Sequence, residues 1–229
     1  MNIWMELLKG FGTNCFLFVI TLVMSIPLGL LITLCTMSKW APFKKLARFG
    51  GRMKWLAEFK PIRFVSKTFV WIIRGTPLML QLFVVLYAPG LLFNYPISSR
   101  MTAAVIAFVI NYAAYFSEIY RGGIESISVG QYEAGQVLGL TKTQVFFKVV
   151  LFQVIKRITP SMGNEVITLV KDSALARVIG VTEIIMNAQR FAAKGIIWPL
   201  FGTGLYFLAF TGVLSIILSY IEKKLNYYE

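Results

Sequence analysis

Long runs without a charged side chain alternate with short basic stretches. The uncharged runs cover 11–38, 75–99, 101–117 and 195–221. A helix that crosses a bilayer needs about 20 mostly apolar residues, so the pattern predicts helices near 13–37, 66–93, 100–120 and 197–221. A fifth, near 158–183, is apolar but interrupted by Glu165, Lys171, Asp172 and Arg177. Four such charges facing lipid would cost on the order of 10 kcal/mol. They are therefore expected to face other helices or water. The chain reads as one all-α membrane domain over 1–229, with five transmembrane helices. Pro27, Pro77, Pro89, Pro160 and Pro199 fall in or beside the predicted helices, and a helix bundle tolerates such breaks where neighbours satisfy the freed carbonyls. Pro27 and Gly29 are expected to bend the first helix.

Composition supports this class. Apolar residues make up 57% of the 229 and charged residues only 14%, where soluble domains carry about 25% charged. Histidine is absent, which removes Ser-His-Asp and Cys-His catalysis and imidazole-based zinc sites. No G-x-x-x-x-G-K-[ST] run occurs, so the chain does not cradle a nucleotide through a P-loop. No cleavable signal peptide is expected, because the first apolar run is long and lacks a small-x-small cleavage site. Cys15 and Cys35 would sit roughly 30 Å apart on one helix, beyond disulfide reach. No metal site and no enzymatic activity are expected.

The net charge of +13 follows a topological pattern. Nine basic residues lie in 38–67, five in 121–157 and two in the tail, against Lys9, Arg100, Arg190 and Lys194 on the opposite flanks. With five spans the three rich segments share one face, so the positive-inside rule puts the C-terminus in the cytoplasm and the N-terminus outside. The excess therefore points to topology rather than to nucleic acid. Segment 38–67 reads as a basic cytoplasmic anchor. It is either a solvated loop or short interfacial helices carrying Phe43, Leu46 and Ala47, then Met53, Leu56 and Phe59 after the Gly50–Gly51 break.

Segment 121–157 carries two S/T-x-x-E/Q patterns, Ser128 with Gln131 and Thr141 with Gln144. Each fits a capping box. They predict a helix from about Val129 to Leu138 that ends at Gly139, and a second helix after Thr141. This elbow at 128–147 is either a docking surface for a cytoplasmic partner or a plain hairpin on the membrane surface. Ser161, Glu165, Thr168 and Asp172 follow spacings of four, three and four, so they line one helical face. A polar stripe in a membrane helix should face a cavity or the bundle interior. Two carboxylates roughly 10 Å apart along the axis could hold an ammonium group and a polar side chain, or could only form a packing network. Arg74 is placed near the cytoplasmic end of the second helix, either as a snorkelling arginine or as part of a gate or packing contact with Thr76 and Pro77.

Three stretches in order resemble the permease subunits of ABC importers for polar amino acids. QYEAGQVLGLTKTQVFFKVV resembles their EAA loop, with Glu133, Ala134, Gly135 and Gly139 at its positions. RGTPLMLQL from Arg74, and PSMGNEVITLVKDSALARVIGVTEI from Pro160, are similar to two further motifs of that family. Gly135 stands where an alanine is usual, Phe152 replaces a usual proline, and 38–67 is longer than expected.

The resemblance implies a type I importer-like fold in a bacterial inner membrane. It implies an ATP-driven amino-acid uptake system in which this chain is non-catalytic. ATP and Mg would be handled by separate ABC ATPase subunits docked on the elbow. A second permease chain, identical or a sister, would complete the pathway, and an extracytoplasmic binding protein would deliver the amino acid. Ser161, Glu165, Thr168, Lys171 and Asp172 would line the substrate pathway, with Lys171 available to the substrate carboxylate. Glu133 would present its carboxylate to a basic ATPase surface or cap its own elbow. The competing classes are an ion-coupled transporter or channel, and a membrane-embedded enzyme. The first would be expected to show internal repeats, which are not evident here, and the second has no visible nucleophile–base pair.

Overall fold

The computed structural model describes residues 2–42 and 58–225, and these are helical with no strand. The first helix, α1, runs Ile3–Thr36 and is capped by the Asn2 side chain, which accepts from Trp4 N at 3.3 Å. It begins about ten residues before the predicted start near 13 and passes Pro27 without interruption. The extra turns carry Glu6 and Lys9, yet they hold because Leu7, Gly10 and Asn14 are buried against a later segment.

The predicted second helix is two helices. α2 spans Pro61–Gly75 and α3 spans Leu78–Phe93, bent by 110° at Thr76–Pro77. Proline removes a backbone donor and pushes the residue before it out of helical geometry, and Thr76 is accordingly extended at φ −117°, ψ 143°. α4, Arg100–Glu125, is the central helix. Buried residues make up 61% of its apolar window, against none for the last helix. Phe108, Tyr112 and Phe116 on α4 form the core with Leu17 and Phe18 of α1 and Leu78 and Leu82 of α3. The tightest pairing is α1 on α4. Gly29 lies so close that a Cβ there would sit 2.9 Å from Phe116 Cβ. The Thr33 hydroxyl is within hydrogen-bonding distance of Gly29 O (2.8 Å) and Ser117 O (3.0 Å). Lipid supplies no hydrophobic drive between helices, so small residues and hydroxyls at the contact do this work.

After α4 come a short helix, α5 (Val129–Val137), and a single turn, α6 (Lys142–Val145). A π-helical turn, Phe146–Val150, then runs without a break into α7, Leu151–Asp172. The α-helix predicted near 158–183 thus starts earlier and stops earlier. Beyond Asp172 the chain tightens into a 3₁₀ stretch, Ser173–Ile179, where the Ser173 hydroxyl donates to Val170 O at 2.7 Å. Gly180, at φ 81°, ends it against the Arg100 side chain. A further helix, α8 (Ile184–Ala192), is followed by α9, Trp198–Leu225. Among the described residues α1, α4 and α9 are each long and apolar enough to cross a membrane, and the bent α2–α3 pair adds a fourth if taken as one broken span. The interfacial helices expected around Phe43, Leu46, Ala47, Met53 and Leu56 lie outside the described residues.

Candidate functional site

The break between α2 and α3 builds the site. Bending the chain at Thr76 leaves α2 carbonyls without their helical donors, and Gln81 supplies the replacement. Its Nε2 lies 2.8 Å from Ile73 O, 2.9 Å from Thr76 Oγ1 and 3.1 Å from Thr76 O. Its Oε1 accepts from Asn111 Nδ2 of α4 at 3.0 Å. The elbow of the broken helix is thereby pinned to the central helix. Arg74 lies in the last turn of α2, at the break between α2 and α3.

A cavity of about 490 Å³ opens at the break. Arg74, Thr76, Pro77, Glu165, Thr168 and Asp172 all line it. The gate candidates and most of the polar stripe, some ninety residues apart in the chain, therefore meet. Asn111, Tyr112 and Tyr115 of α4 complete the polar wall. Tyr112 donates its hydroxyl proton to Asp172 Oδ2 at 2.8 Å. Glu165 makes no hydrogen bond or ion pair among the described residues. Arg74 stacks over the Tyr115 ring, 5.2 Å from its centroid, and its Nη1 is 3.5 Å from Glu118 Oε2. Glu118 is held more closely by Arg121, at 2.6 Å, and Arg121 reaches on to Glu125.

Two candidates for the substrate pathway lie elsewhere. Ser161 lines a second cavity of about 420 Å³ with Glu118, Ser126 and Arg157. Lys171 is exposed and does not line the first cavity. Gln81, Asn111, Tyr112, Tyr115 and Glu118 were not singled out from sequence. A lone Gln and a lone Asn inside uncharged runs, and a Glu near the end of one, were the available signals.

The elbow is present. Thr141 and Gln144 form the full capping box, with Thr141 N donating to Gln144 Oε1 (2.9 Å) and Gln144 N to Thr141 Oγ1 (3.3 Å). The Ser128–Gln131 box does not form. Ser128 makes no side-chain cap, and Gln131 instead accepts from Gln153 Nε2 at 3.2 Å. Gly139, at φ 75°, closes α5 as predicted. Its N–H donates to Gln136 O and the next one, of Leu140, to Gly135 O, which is the Schellman pattern. Gly135 is buried, and a Cβ there would run into the Val145 side chain, so the missing methyl lets α5 approach α6. The elbow has its own small core of Ile127, Val145, Val150 and Val154, and Arg157 donates to Ser126 O to tie α7 to its entrance. Glu133, Ala134 and Gly139 are exposed beside exposed Val137 and Leu138. Glu133 does not cap the elbow, whose end is closed by backbone donors.

A buried clamp lies apart from these sites. Glu183, fully buried, accepts from Ile185 N (2.9 Å) and Met186 N (2.6 Å) to cap α8. Asn14 of α1 donates to Ser173 Oγ (2.9 Å) and accepts from Ile184 N (3.1 Å).

Residues 46–227 match the family described as binding-protein-dependent transport system inner membrane component. The chain is 33% identical over 222 residues to the arginine transport system permease protein of Bacillus subtilis, covering 96% of this chain and 92% of that one. It is 36% identical over 177 residues to the L-cystine transport system permease protein of the same organism, covering 76% and 74%. It is 35% identical over 182 residues to the glutamine transport system permease protein of Escherichia coli, covering 78% of each. A solved chain from an amino acid ABC transporter superposes with a TM-score of 0.80 at 29% identity, covering 96% of this chain and 94% of that one. A chain of a methionine ABC transporter in an inward-facing conformation superposes at 0.75 with 15% identity, covering 99% and 100%, and so shares the fold.

Proposed function

The chain belongs to the family of binding-protein-dependent transport system inner membrane components, the permease subunits of amino-acid ABC importers, and from that premise we propose how it carries its substrate. The cavity at the α2–α3 break is the substrate pathway of this chain. The observation that carries this reading is the meeting of Arg74 with Glu165, Thr168 and Asp172 around about 490 Å³. An amino acid carries at least one ammonium and one carboxylate, and the lining offers both complementary signs. Arg74, rather than the outlying Lys171, takes the substrate carboxylate, and the two acidic residues take the ammonium group and a polar side chain. The arginine, cystine and glutamine named for its relatives are the substrate range to be tested. Arg74 with Thr76 and Pro77 forms the gate, because the same guanidinium borders the cavity and pairs with Glu118 on the rim of the second cavity, which Ser161 also lines.

Transport by this chain is driven from outside it. The helix α5 is a short stiff lever whose Tyr132 packs on the elbow's small core, and the exposed Glu133, Ala134 and Gly139 support the docking of an ATPase subunit. A second permease chain completes the pathway and an extracytoplasmic binding protein feeds it. The chain lies in the inner membrane with five spans, N-terminus outside and C-terminus in the cytoplasm, as the distribution of basic residues supports. A C-terminal reporter is therefore active only on the cytoplasmic side, and an N-terminal one only outside. The deciding experiment is reconstitution in liposomes with ATPase and binding protein, following labelled amino acid. Uptake that requires ATP inside supports the reading. Uptake without nucleotide or companion subunits, or driven by a proton or sodium gradient alone, overturns it.

A further inference from the structure

The two cavities follow one another along the same pair of helices, and no residue lines both. On α4 the lining passes from Tyr112 and Tyr115 in the first to Glu118 and Ser126 in the second. On α7 it passes from Asp172 and Glu165 back to Ser161 and Arg157. The second holds about 420 Å³ against about 490 Å³ for the first, so a solute admitted by the first has comparable room in the second. On the topology proposed above, the second lies nearer the cytoplasm. Resting on the transport reading, we propose that the second cavity is a separate amino-acid site, occupied after the first on the way to the cytoplasm, in which Arg157 takes the α-carboxylate and Glu118 the α-ammonium.

Both charged groups have capacity to spare. Arg157 Nη1 donates to Ser126 O, and a guanidinium carries five N–H donors. No carboxylate lies within ion-pair distance of Arg157 among the described residues. Arg121 engages both Glu118 oxygens, Nε on Oε1 at 3.0 Å and Nη2 on Oε2 at 2.6 Å. An ionised carboxylate has about four acceptor positions, so two remain. Arg74 approaches Oε2 only to 3.5 Å, longer than a good N–H···O bond. An incoming ammonium displaces that loose contact and returns Arg74 to the first cavity, which it also lines.

The remaining walls set the ligand class. One cation and one carboxylate match a zwitterion, the end that every amino acid shares. A side chain meets Ile119, Ile158 and glycine, so this site accepts the amino acid whatever its side-chain charge. The Ser161 hydroxyl lines the same space and makes no hydrogen bond among the described residues, which leaves it available to the ligand. A Cβ on Gly122 would meet nothing within 4 Å, whereas one on Gly123 would run into Ile158. The first glycine thus keeps the cavity open, and the second lets α4 and α7 close beside it.

The test is site-directed alkylation of the full chain in lipid nanodiscs, with Cys15 and Cys35 replaced by serine. Ser161→Cys reports the second cavity and Thr168→Cys the first. L-Arginine and L-glutamine should each slow labelling at both positions, by about tenfold at about ten times the dissociation constant. N-Acetyl-L-arginine and L-arginine methyl ester, each lacking one of the two charges, should not protect Ser161→Cys. Arg157→Gln should remove protection at Ser161→Cys, and protection persisting at Thr168→Cys shows that the chain is still folded. Protection at Thr168→Cys alone in the unaltered background overturns the second site and leaves the transport reading intact. Protection at neither position overturns both cavities as amino-acid sites. Protection at Ser161→Cys that survives Arg157→Gln, or that the methyl ester or the N-acetyl derivative matches, overturns the roles given to Arg157 and Glu118.

Discussion

Replacing Gln81 by methionine keeps the side-chain volume and removes every hydrogen bond that this side chain makes across the bend. Three acceptors surround Nε2, which has two protons, and Oε1 accepts a further bond from Asn111. Three bonds are therefore satisfied at once. A typical intramolecular hydrogen bond contributes about 1 kcal/mol net, and polar contacts between membrane helices average about 0.6 kcal/mol. The loss should be about 2–3 kcal/mol. For a chain of this size each kcal/mol shifts the melting temperature by about 2–4 °C, so Tm should fall by about 5–10 °C. Tryptophan fluorescence of the purified chain in nanodiscs measures it. Because Gln81 and Asn111 share a bond, a cycle with Asn111→Leu should be non-additive. The double variant should lose less than the sum of the two singles. Uptake should fall as well, since Arg74 and Thr76 lose the bend that presents them to the cavity. A Gln81→Met variant melting within 1 °C of the unaltered chain, or two losses that simply add, would refute the role given to this side chain.

Gly139→Asp forces an L side chain into left-handed backbone at φ 75°, but nothing lies within 4 Å of the new Cβ. Membrane insertion should persist while ATPase co-purification and uptake are lost, and full transport by this variant would count heavily against the elbow as the coupling point. Gly29→Val drives a branched side chain into Phe116 and the Ala113 carbonyl. It should cost about 1–3 kcal/mol, read as a lower Tm in the same nanodisc assay, with Gly12→Ala, which points into open space, as the control that stays near the original value. Glu183→Ala leaves the Ile185 and Met186 N–H groups without their cap. A loss of about 1–2 kcal/mol is expected, with faster hydrogen exchange confined to the start of α8. Unaltered exchange there would remove Glu183 from the clamp.

What the sequence determined by itself was local. Uncharged runs mark α1, α4 and α9 because a bilayer demands length and apolarity from each segment separately. Thr141, Gln144 and Gly139 mark the elbow because caps are made within three or four residues. The stripe of Glu165, Thr168 and Asp172 was legible from helical periodicity alone. Only the tertiary structure decided the rest. The Ser128–Gln131 box was lost to Gln153, a partner 22 residues from Gln131. The run 66–93 looked like one apolar helix, since a proline in a membrane helix is compatible with either a mild kink or a sharp break. The 110° outcome depends on Gln81 satisfying the exposed carbonyls and on Asn111 holding Gln81 in place. The start of α1 likewise required Asn14 to meet Ser173 and Ile184 far along the chain. The cavity needs Arg74 of α2 and Asp172 of α7 in one lining, and no pattern that repeats every 3.6 residues carries the distance between two helices.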